Sequence, residues 1–159
     1  DSSGTVVING GEGSDYLTAT NNTQKSTFDG GSGNDNIIAG LNDDRIIGGL
    51  GSDTLYGSTG ADTFVFNTAP DFSSDTIGDF SLTENDTIEI SGSAFGVNVA
   101  IDTLFVTNQA TSAEQRLIYN QTTGILSFDS DGNGAVEAIQ LLGIGAGTAL
   151  TANNINIVA

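Results

Sequence analysis

The sequence contains no cysteine and no histidine among its 159 residues. Without cysteine, neither a disulfide framework nor a thiolate metal site can form, and the redox compartment is left open. Without histidine, the chain lacks the commonest general base and the commonest ligand of transition metals. The remaining metal ligands are oxygen atoms, which favour hard cations such as Ca²⁺ and Mg²⁺.

Positive charge is also scarce in this chain. Lys25, Arg45 and Arg116 face 20 acidic residues, and the formal net charge is -17. This charge argues against nucleic acid, anionic lipid and other polyanions as partners and favours a cation. No apolar run approaches the ~18 residues of a membrane span, and the chain opens with DSSGTVV rather than with a basic and apolar leader. We therefore expect a piece of a longer secreted protein without a membrane span.

Glycine is abundant, with 22 residues, and it recurs with a period of nine. Residues 10–18, 30–38 and 48–56 fit the pattern GGxGxDxUx, where U is a large apolar residue, at each specified position. Residues 57–65 lack only the second glycine, and residues 39–47 have Ala at the first position and Asn at the fourth. Residues 1–9 keep little of the pattern, and the glycine-free stretch from 19 to 29 is longer than one repeat.

This repeat predicts a parallel solenoid. The glycines permit tight turns with positive φ, and the last three residues of each repeat form a short strand whose middle side chain points inward. Two repeats make one coil, and each coil contacts only its neighbours. The inward residues then form a thin apolar column: Ile8, Leu17, Phe28, Ile37, Ile46, Leu55 and Phe64.

The repeat resembles the nonapeptide of the RTX (repeats-in-toxin, hemolysin-type calcium-binding) β-roll. The resemblance implies an all-β fold, with a right-handed parallel β-roll at residues 1–65 that binds Ca²⁺ between turns stacked on the same side. It implies carboxylate ligands from the sixth position of the repeat: Asp15, Asp35, Asp44, Asp53 and Asp62. It also implies ligands from the backbone carbonyls of Gly10, Glu12, Gly30, Ser32, Ala39, Leu41, Gly48, Leu50, Gly57 and Thr59.

The register of the repeats predicts which aspartates stack. Alternate repeats fall on the same edge of the roll, so Asp15, Asp35 and Asp53 should form one row with an ion between each neighbouring pair. Asp44 and Asp62 should share an ion on the opposite edge, which gives at least three calcium ions. The alternative is a metal-free solenoid with polar Gly and Asp turns. Recurring carboxylates argue against it, because they repel one another unless a cation is present.

Residues 66–159 contain fewer glycines and longer apolar runs, which predict a β-rich C-terminal region. The resemblance to RTX proteins implies that residues 66–159 form a capping and secretion-signal region. Short antiparallel strands are expected, among them TLFVTN and INIVA, with hairpin turns at residues 121–124 and 130–135. Residues 61–96 resemble the segment that follows RTX repeats, which makes Asp71, Asp75 and Asp79 candidate calcium ligands. Their alternative role is that of ordinary turn and strand-end aspartates. The final GTALTANNINIVA resembles a type I secretion signal.

The stretch DSDGNGAVE at residues 129–137 is a further candidate metal site. Asp129, Asp131 and Asn133 fit the first, third and fifth positions of an EF-hand loop, but Gln140 stands where that loop has its glutamate. A hairpin with this sequence also forms without metal, because Asp and Asn favour such turns. Both interpretations stay open.

These features predict a calcium-binding module that folds on binding Ca²⁺ outside the cell, at the cell surface or in the medium. The resemblance to RTX proteins implies that its partners are the type I secretion machinery and upstream domains of a larger exported protein. The alternative is a glycan-binding or adhesive module, for which a neutral glycan is the compatible ligand. We do not expect an enzyme, because no nucleophile motif accompanies carboxylate pairs such as Asp129 and Glu137.

Overall fold

The computed structural model describes residues 5–97, 105–132 and 134–159. Within these ranges the chain is almost entirely strand and turn, which confirms the predicted all-β class. The strands are β1 (Val6–Glu12), β2 (Tyr16–Thr18), β3 (Ser26–Ser32), β4 (Asn36–Ile38), β5 (Arg45–Leu50), β6 (Thr54–Tyr56), β7 (Thr63–Phe66), β8 (Asp75–Ile77), β9 (Thr87–Ser91), β10 (Phe105–Thr107), β11 (Leu117–Asn120), β12 (Ile125–Phe128), β13 (Ile139–Gly143) and β14 (Ile155–Val158). The short helices are α1 (Gly92–Phe95) and a 3-10 helix (Ala152–Asn154). No described helix has the length and apolar character needed to cross a membrane.

The strands form two sheets. The six-stranded sheet has the order β1-β3-β5-β7-β9-β14, and the eight-stranded sheet has the order β10-β11-β12-β13-β8-β6-β4-β2. From β1 to β9 the chain alternates between the two sheets, and each strand pairs in parallel with the strand one coil later. This confirms the predicted stack of parallel coils, whereas its right-handed sense stays a prediction.

An apolar column fills the space between the two sheets. Phe28, Ile37, Ile46 and Phe64 are 0% exposed, and Leu55 is 1% exposed. Ile8 and Leu17 are only partly buried, because they lie on β1 and β2, which are edge strands. The predicted column is therefore confirmed, and its side chains are least buried in the first coil.

The parallel stacking continues beyond the last repeat. Leu55 on β6 pairs with Ile77 on β8, and Phe64 on β7 pairs with Ile88 on β9. Ile77 and Ile88 are buried and extend the column. The sheets thus cross the predicted domain boundary between residues 65 and 66, and the position of that boundary stays a prediction.

The C-terminal part contains the two predicted hairpins. Strands β11 and β12 pair antiparallel, and so do β12 and β13. The connections lie at residues 121–124 and 129–138, which matches the predicted turns. Strand β13 then pairs in parallel with β8 and attaches the hairpins to the roll.

Two of the strands that were predicted to be antiparallel are parallel. Strand β10, within TLFVTN, pairs in parallel with β11, and β14, within INIVA, pairs in parallel with β9. Neither is joined to its partner by a tight turn, so no hairpin constrains its direction. Strand β14 instead covers the edge that β9 would leave open, and Ile155 becomes 2% exposed there. The antiparallel expectation for these two strands was wrong.

Candidate metal centre

The turns at residues 10–15, 30–35 and 48–53 stack on one side of the roll, which we call the first edge. The backbone N–H of Asp15 donates to Oδ1 of Asp35 over 2.8 Å, and that of Asp35 donates to Oδ1 of Asp53 over 2.8 Å. The N–H of Asp53 continues the row by donating to Oδ1 of Asp75 over 2.9 Å. The predicted stacking of Asp15, Asp35 and Asp53 is confirmed.

The second carboxylate oxygens of this row lack partners. Oδ2 of Asp15, Asp35 and Asp53 is buried and accepts no hydrogen bond, and Asp35 and Asp53 are each only 2% exposed. A buried carboxylate oxygen without a partner is costly. The first edge therefore presents three buried oxygens that a cation would satisfy.

Glycine at the first repeat position keeps a space open beside each of these oxygens. A methyl group on Gly10 would lie 2.7 Å from Oδ2 of Asp15 and 2.6 Å from the carbonyl oxygen of Gly30. A methyl group on Gly30 would overlap Oδ2 of Asp35 and would lie 2.5 Å from the carbonyl oxygen of Gly48. Carboxylate and carbonyl oxygens thus converge where the side chain is absent, and such a donor set suits Ca²⁺.

Backbone oxygens have to complete any metal site here. Within the described ranges, no three acidic side chains come together in a group that could hold a metal ion. Among the predicted carbonyl ligands, Ser32 accepts from the N–H of Gly13 and Leu50 from that of Gly33, each over 2.8 Å. A carbonyl oxygen has two lone pairs, so each of these keeps one.

The basic residues do not neutralise this row. Arg45 makes two bonds to Glu89, with N to O distances of 2.6 and 2.9 Å. In the part of the chain that the structure describes, no salt bridge reaches an aspartate of the first edge. A cation from solution is therefore the available counter-charge.

The second edge of the roll carries the turns at residues 39–44 and 57–62. The backbone N–H of Ser26 donates to Oδ1 of Asp44 over 2.6 Å, and that of Asp44 donates to Oδ1 of Asp62 over 2.8 Å. The N–H of Asp62 donates to Oδ1 of Asp86 over 3.0 Å. Asp86 was missed by the sequence reasoning. Its signal is the motif Asp-Thr-Ile at 86–88, but the preceding residues lack the repeat glycines and the spacing from Asp62 is 24 rather than 18.

The other predicted ligand residues of the second edge, Ala39, Leu41, Gly57 and Thr59, lie in the same two turns as Asp44 and Asp62. The carbonyl of Ala39 accepts from the hydroxyl of Ser58 over 3.2 Å, and the N–H of Leu41 donates to the carbonyl of Asn22 over 2.8 Å. A methyl group on Gly57 would overlap Oδ2 of Asp62. Thr59 follows in the same turn.

The three candidate aspartates of residues 61–96 all contact the repeat turns. Asp75 belongs to the row of the first edge. Oδ2 of Asp71 accepts from the N–H of Gly51 over 3.0 Å, and Asp79 accepts from the N–H groups of Gly57 and Ser58 over 2.9 and 2.8 Å. Asp71 and Asp79 therefore act as backbone caps in the structure, and whether any of the three binds metal stays a prediction.

Asp129 and Asp131 lie in the connection between β12 and β13, apart from both rows. Oδ1 of Asp129 accepts from the N–H of Asp131 over 3.1 Å, and Oδ2 of Asp131 accepts from the N–H of Val136 over 3.2 Å. Oδ1 of Asp131 is buried without a partner. Asn133, the third candidate of this loop, lies outside the described residues, and metal binding here stays a prediction.

The polar residues before the aspartates stack as well. The backbone N–H of Asn34 donates to the hydroxyl of Ser14 over 3.2 Å, and that of Ser52 donates to Oδ1 of Asn34 over 3.0 Å. These bonds run from a coil to the preceding one, whereas the aspartate bonds run from a coil to the following one. The opposing directions fix the register between neighbouring turns.

Burial perturbs the titration of several aspartates in the rows. Desolvation raises the pKa of Asp53 to about 6 and the pKa values of Asp62 and Asp75 to about 7, each from 3.8. Backbone hydrogen bonds oppose this effect, and neighbouring carboxylates, such as Asp35 beside Asp53, add to it. Without a cation, these groups resist ionisation at neutral pH.

These shifts predict that the calcium-free chain loses stability as the pH rises. A carboxyl whose pKa is higher in the folded state contributes stability that is complete below the unfolded value and is lost as the pH passes the folded value. We expect the strand signal of the calcium-free chain, measured by circular dichroism in chelator, to be higher at pH 5 than at pH 8. Saturating Ca²⁺ should remove this loss, and a calcium-free strand signal that rises with pH would contradict the prediction.

Comparison with known proteins agrees with this geometry. A family model for the RTX calcium-binding nonapeptide repeat matches residues 1–21 and 29–64, in four copies. No curated protein matches the chain.

Proposed function

Because residues 1–21 and 29–64 are RTX calcium-binding nonapeptide repeats, which form a calcium-binding β-roll module, we propose that this module folds when Ca²⁺ binds to it outside the cell. We further propose that it supports the type I secretion and folding of a larger exported protein. Repeat domains of this family are generally non-catalytic structural modules, and proteins that carry them are typically exported. The glycan-binding and adhesive alternatives stay predictions.

The observation that carries the proposal is the row of unpartnered Oδ2 atoms of Asp15, Asp35 and Asp53 on the first edge. Ca²⁺ would be held by these carboxylates together with carbonyl oxygens of the stacked turns, such as those of Gly30 and Gly48. When bound, the ion supplies positive charge and satisfies the buried oxygens. Only hard oxygen ligands are offered, in line with the preference of Ca²⁺.

Calcium binding is expected to be coupled to folding because the apolar core of the roll is small. Each strand of the roll from β2 to β6 contributes one large apolar side chain to the column, and that of Leu17 on β2 is only partly buried. The turns contain glycines, which lose the most backbone entropy on folding. The aspartates also repel one another in the absence of a cation. Metal-binding energy then becomes folding energy.

Secretion in an unfolded state fits this coupling. If the affinity lies in the ~10⁻⁴ to 10⁻³ M range of extracellular modules, the roll stays unfolded at the low calcium of the cytosol. The C-terminal hairpins have apolar residues of their own, such as Leu126 and Phe128, which are buried. They support a role as a cap on the last coil of the roll.

Calorimetry combined with circular dichroism tests the proposal on the whole chain. We expect the calcium-depleted chain at pH 7.5 to bind Ca²⁺ and to gain strand signal during the same titration. Mg²⁺ at equal concentration should not replace Ca²⁺, because it requires a smaller octahedral shell and retains its waters. Full strand signal in chelator, or the absence of calcium binding, would contradict the proposal.

A further inference from the structure

The turn at residues 39–44 departs from the backbone conformation of the other repeat turns. In the first-edge turns, the second and fourth residues have φ between 100° and 123°, as in Gly31 and Gly33. The turn at residues 57–62 keeps this pattern with Ser58 at 68° and Gly60 at 134°. In the turn at 39–44, neither the second residue nor the fourth, Asn42, has a positive φ. Residues 39–44 therefore do not adopt the backbone conformation of the other repeat turns.

The carboxylate of the same turn is already satisfied. Oδ1 of Asp44 accepts from the N–H of Ser26 over 2.6 Å, and Oδ2 accepts from the N–H of Gly40 over 2.8 Å. Asp44 is 1% exposed and has no unpartnered buried oxygen, unlike Asp35. Backbone N–H groups stabilise a buried carboxylate as a cation does. Both carboxylate oxygens of Asp44 thus have partners without a metal.

The glycine-free stretch from 19 to 29 holds the turn in this form. The carbonyl of Asn22 accepts from the N–H of Leu41 over 2.8 Å, and the Asn22 side chain bonds to Gln24 and to Ser26. Asp86, at the other end of the second edge, is satisfied in the same way, because Oδ2 accepts from the N–H of Ser81 over 2.7 Å. Backbone donors therefore close both ends of this row.

Building on the proposed function, we infer that Ca²⁺ is bound along the first edge and that the position between Asp44 and Asp62 on the second edge takes no ion. Two ions would lie between the three turns at residues 10–15, 30–35 and 48–53. The position between Asp44 and Asp62, at which the sequence led us to expect a third ion, is closed instead by the N–H groups that donate to Asp44. Corresponding positions on the two edges of the roll then differ in chemistry, one dependent on metal and one independent of it.

Restoring the repeat in the divergent turn tests this inference by gain of function. The double variant Ala39→Gly/Asn42→Gly turns AGLNDD into GGLGDD and keeps Asp44. We expect calorimetry and equilibrium dialysis to find one more bound Ca²⁺ per chain than in the wild type. Adding Asp44→Asn to the double variant should abolish that extra ion. A double variant that binds the same number of ions as the wild type would overturn the inference.

The single variant Asp44→Asn provides the converse measurement. It should bind as many ions as the wild type, with an affinity within about threefold, while its thermal midpoint falls because one buried N–H loses its acceptor. Loss of a bound ion in this variant would overturn the inference. If the wild type binds no Ca²⁺, the proposed function itself fails, so the two failures are distinguishable.

Discussion

The variant Asp35→Asn is expected to lose calcium affinity at two positions, whereas Asp15→Asn is expected to lose it at one. Asp35 lies in the middle of the first-edge row, because Asp15 donates to its Oδ1 and its own N–H donates to Asp53. Its turn therefore borders the proposed ion position on each side. Asp15 belongs to the first coil and borders a single position.

The expected size of this effect follows from the loss of a charged ligand. Substituting groups that only orient a metal ligand costs 10- to 100-fold in affinity, so removal of a ligating carboxylate should weaken each adjoining position by at least about tenfold. Calorimetry at increasing Ca²⁺ should show two weakened ions in Asp35→Asn and one in Asp15→Asn. Asp29→Asn, on β3 outside both rows, removes the same charge and should bind like the wild type. Equal losses in Asp15→Asn and Asp35→Asn would contradict the stacking of ions along the row.

The variant Gly31→Ala is expected to disrupt the stacking of the first two turns. Gly31 has φ of 100° and pairs with Gly11 in the neighbouring coil. A methyl group here would overlap the carbonyl oxygen of Gly11. The left-handed conformation costs an L-residue roughly 1–2 kcal/mol, and overpacking against fixed backbone adds about 1–3 kcal/mol. Separation of the two turns would also pull Asp35 away from Asp15 and lower calcium affinity.

Gly11→Ala is the matched control for this variant. Gly11 has nearly the same φ, 107°, but a methyl group on it would meet no heavy atom within 4 Å. It should therefore show the backbone strain without the overlap. Urea unfolding in saturating Ca²⁺ should give a clearly larger loss of unfolding free energy for Gly31→Ala. If the two variants lose the same unfolding free energy, the close approach of the two turns does not account for the destabilisation at Gly31.

The periodic part of the fold could be predicted because each repeat carries its own signal. Spacing alone determined the column from Phe28 to Phe64 and the stacking of Asp15, Asp35 and Asp53. Asp86 escaped prediction because its coil reaches the same row with six additional residues and because the residues before it lack the glycines of the repeat pattern. The nine-residue period is visible only where the repeat residues themselves are present. A coil that keeps only the aspartate and the final strand of the repeat cannot be recognised from the period.

Features that depend on tertiary contacts were not predictable in this way. The direction of β14 is set by the free edge of β9, which no residue of the INIVA stretch encodes. The conformation of the turn at residues 39–44 was also hidden, because Asn is among the residues that tolerate a left-handed conformation. Contacts with Asn22, which lies outside the repeat pattern, determine it instead.

The place of β14 in the six-stranded sheet has a consequence for the order of folding. Neighbouring aspartates of the two rows are 18 to 24 residues apart, whereas Ile155 pairs with Ile88, 67 residues earlier. Closing the longer loop costs about 1 kcal/mol more in chain entropy, and pairings distant in sequence form slowly. The coils should therefore assemble in a fast phase driven by short loops. Docking of β14 should follow as a separate, slower phase in stopped-flow refolding, and until then the β9 edge remains open to pairing with another chain.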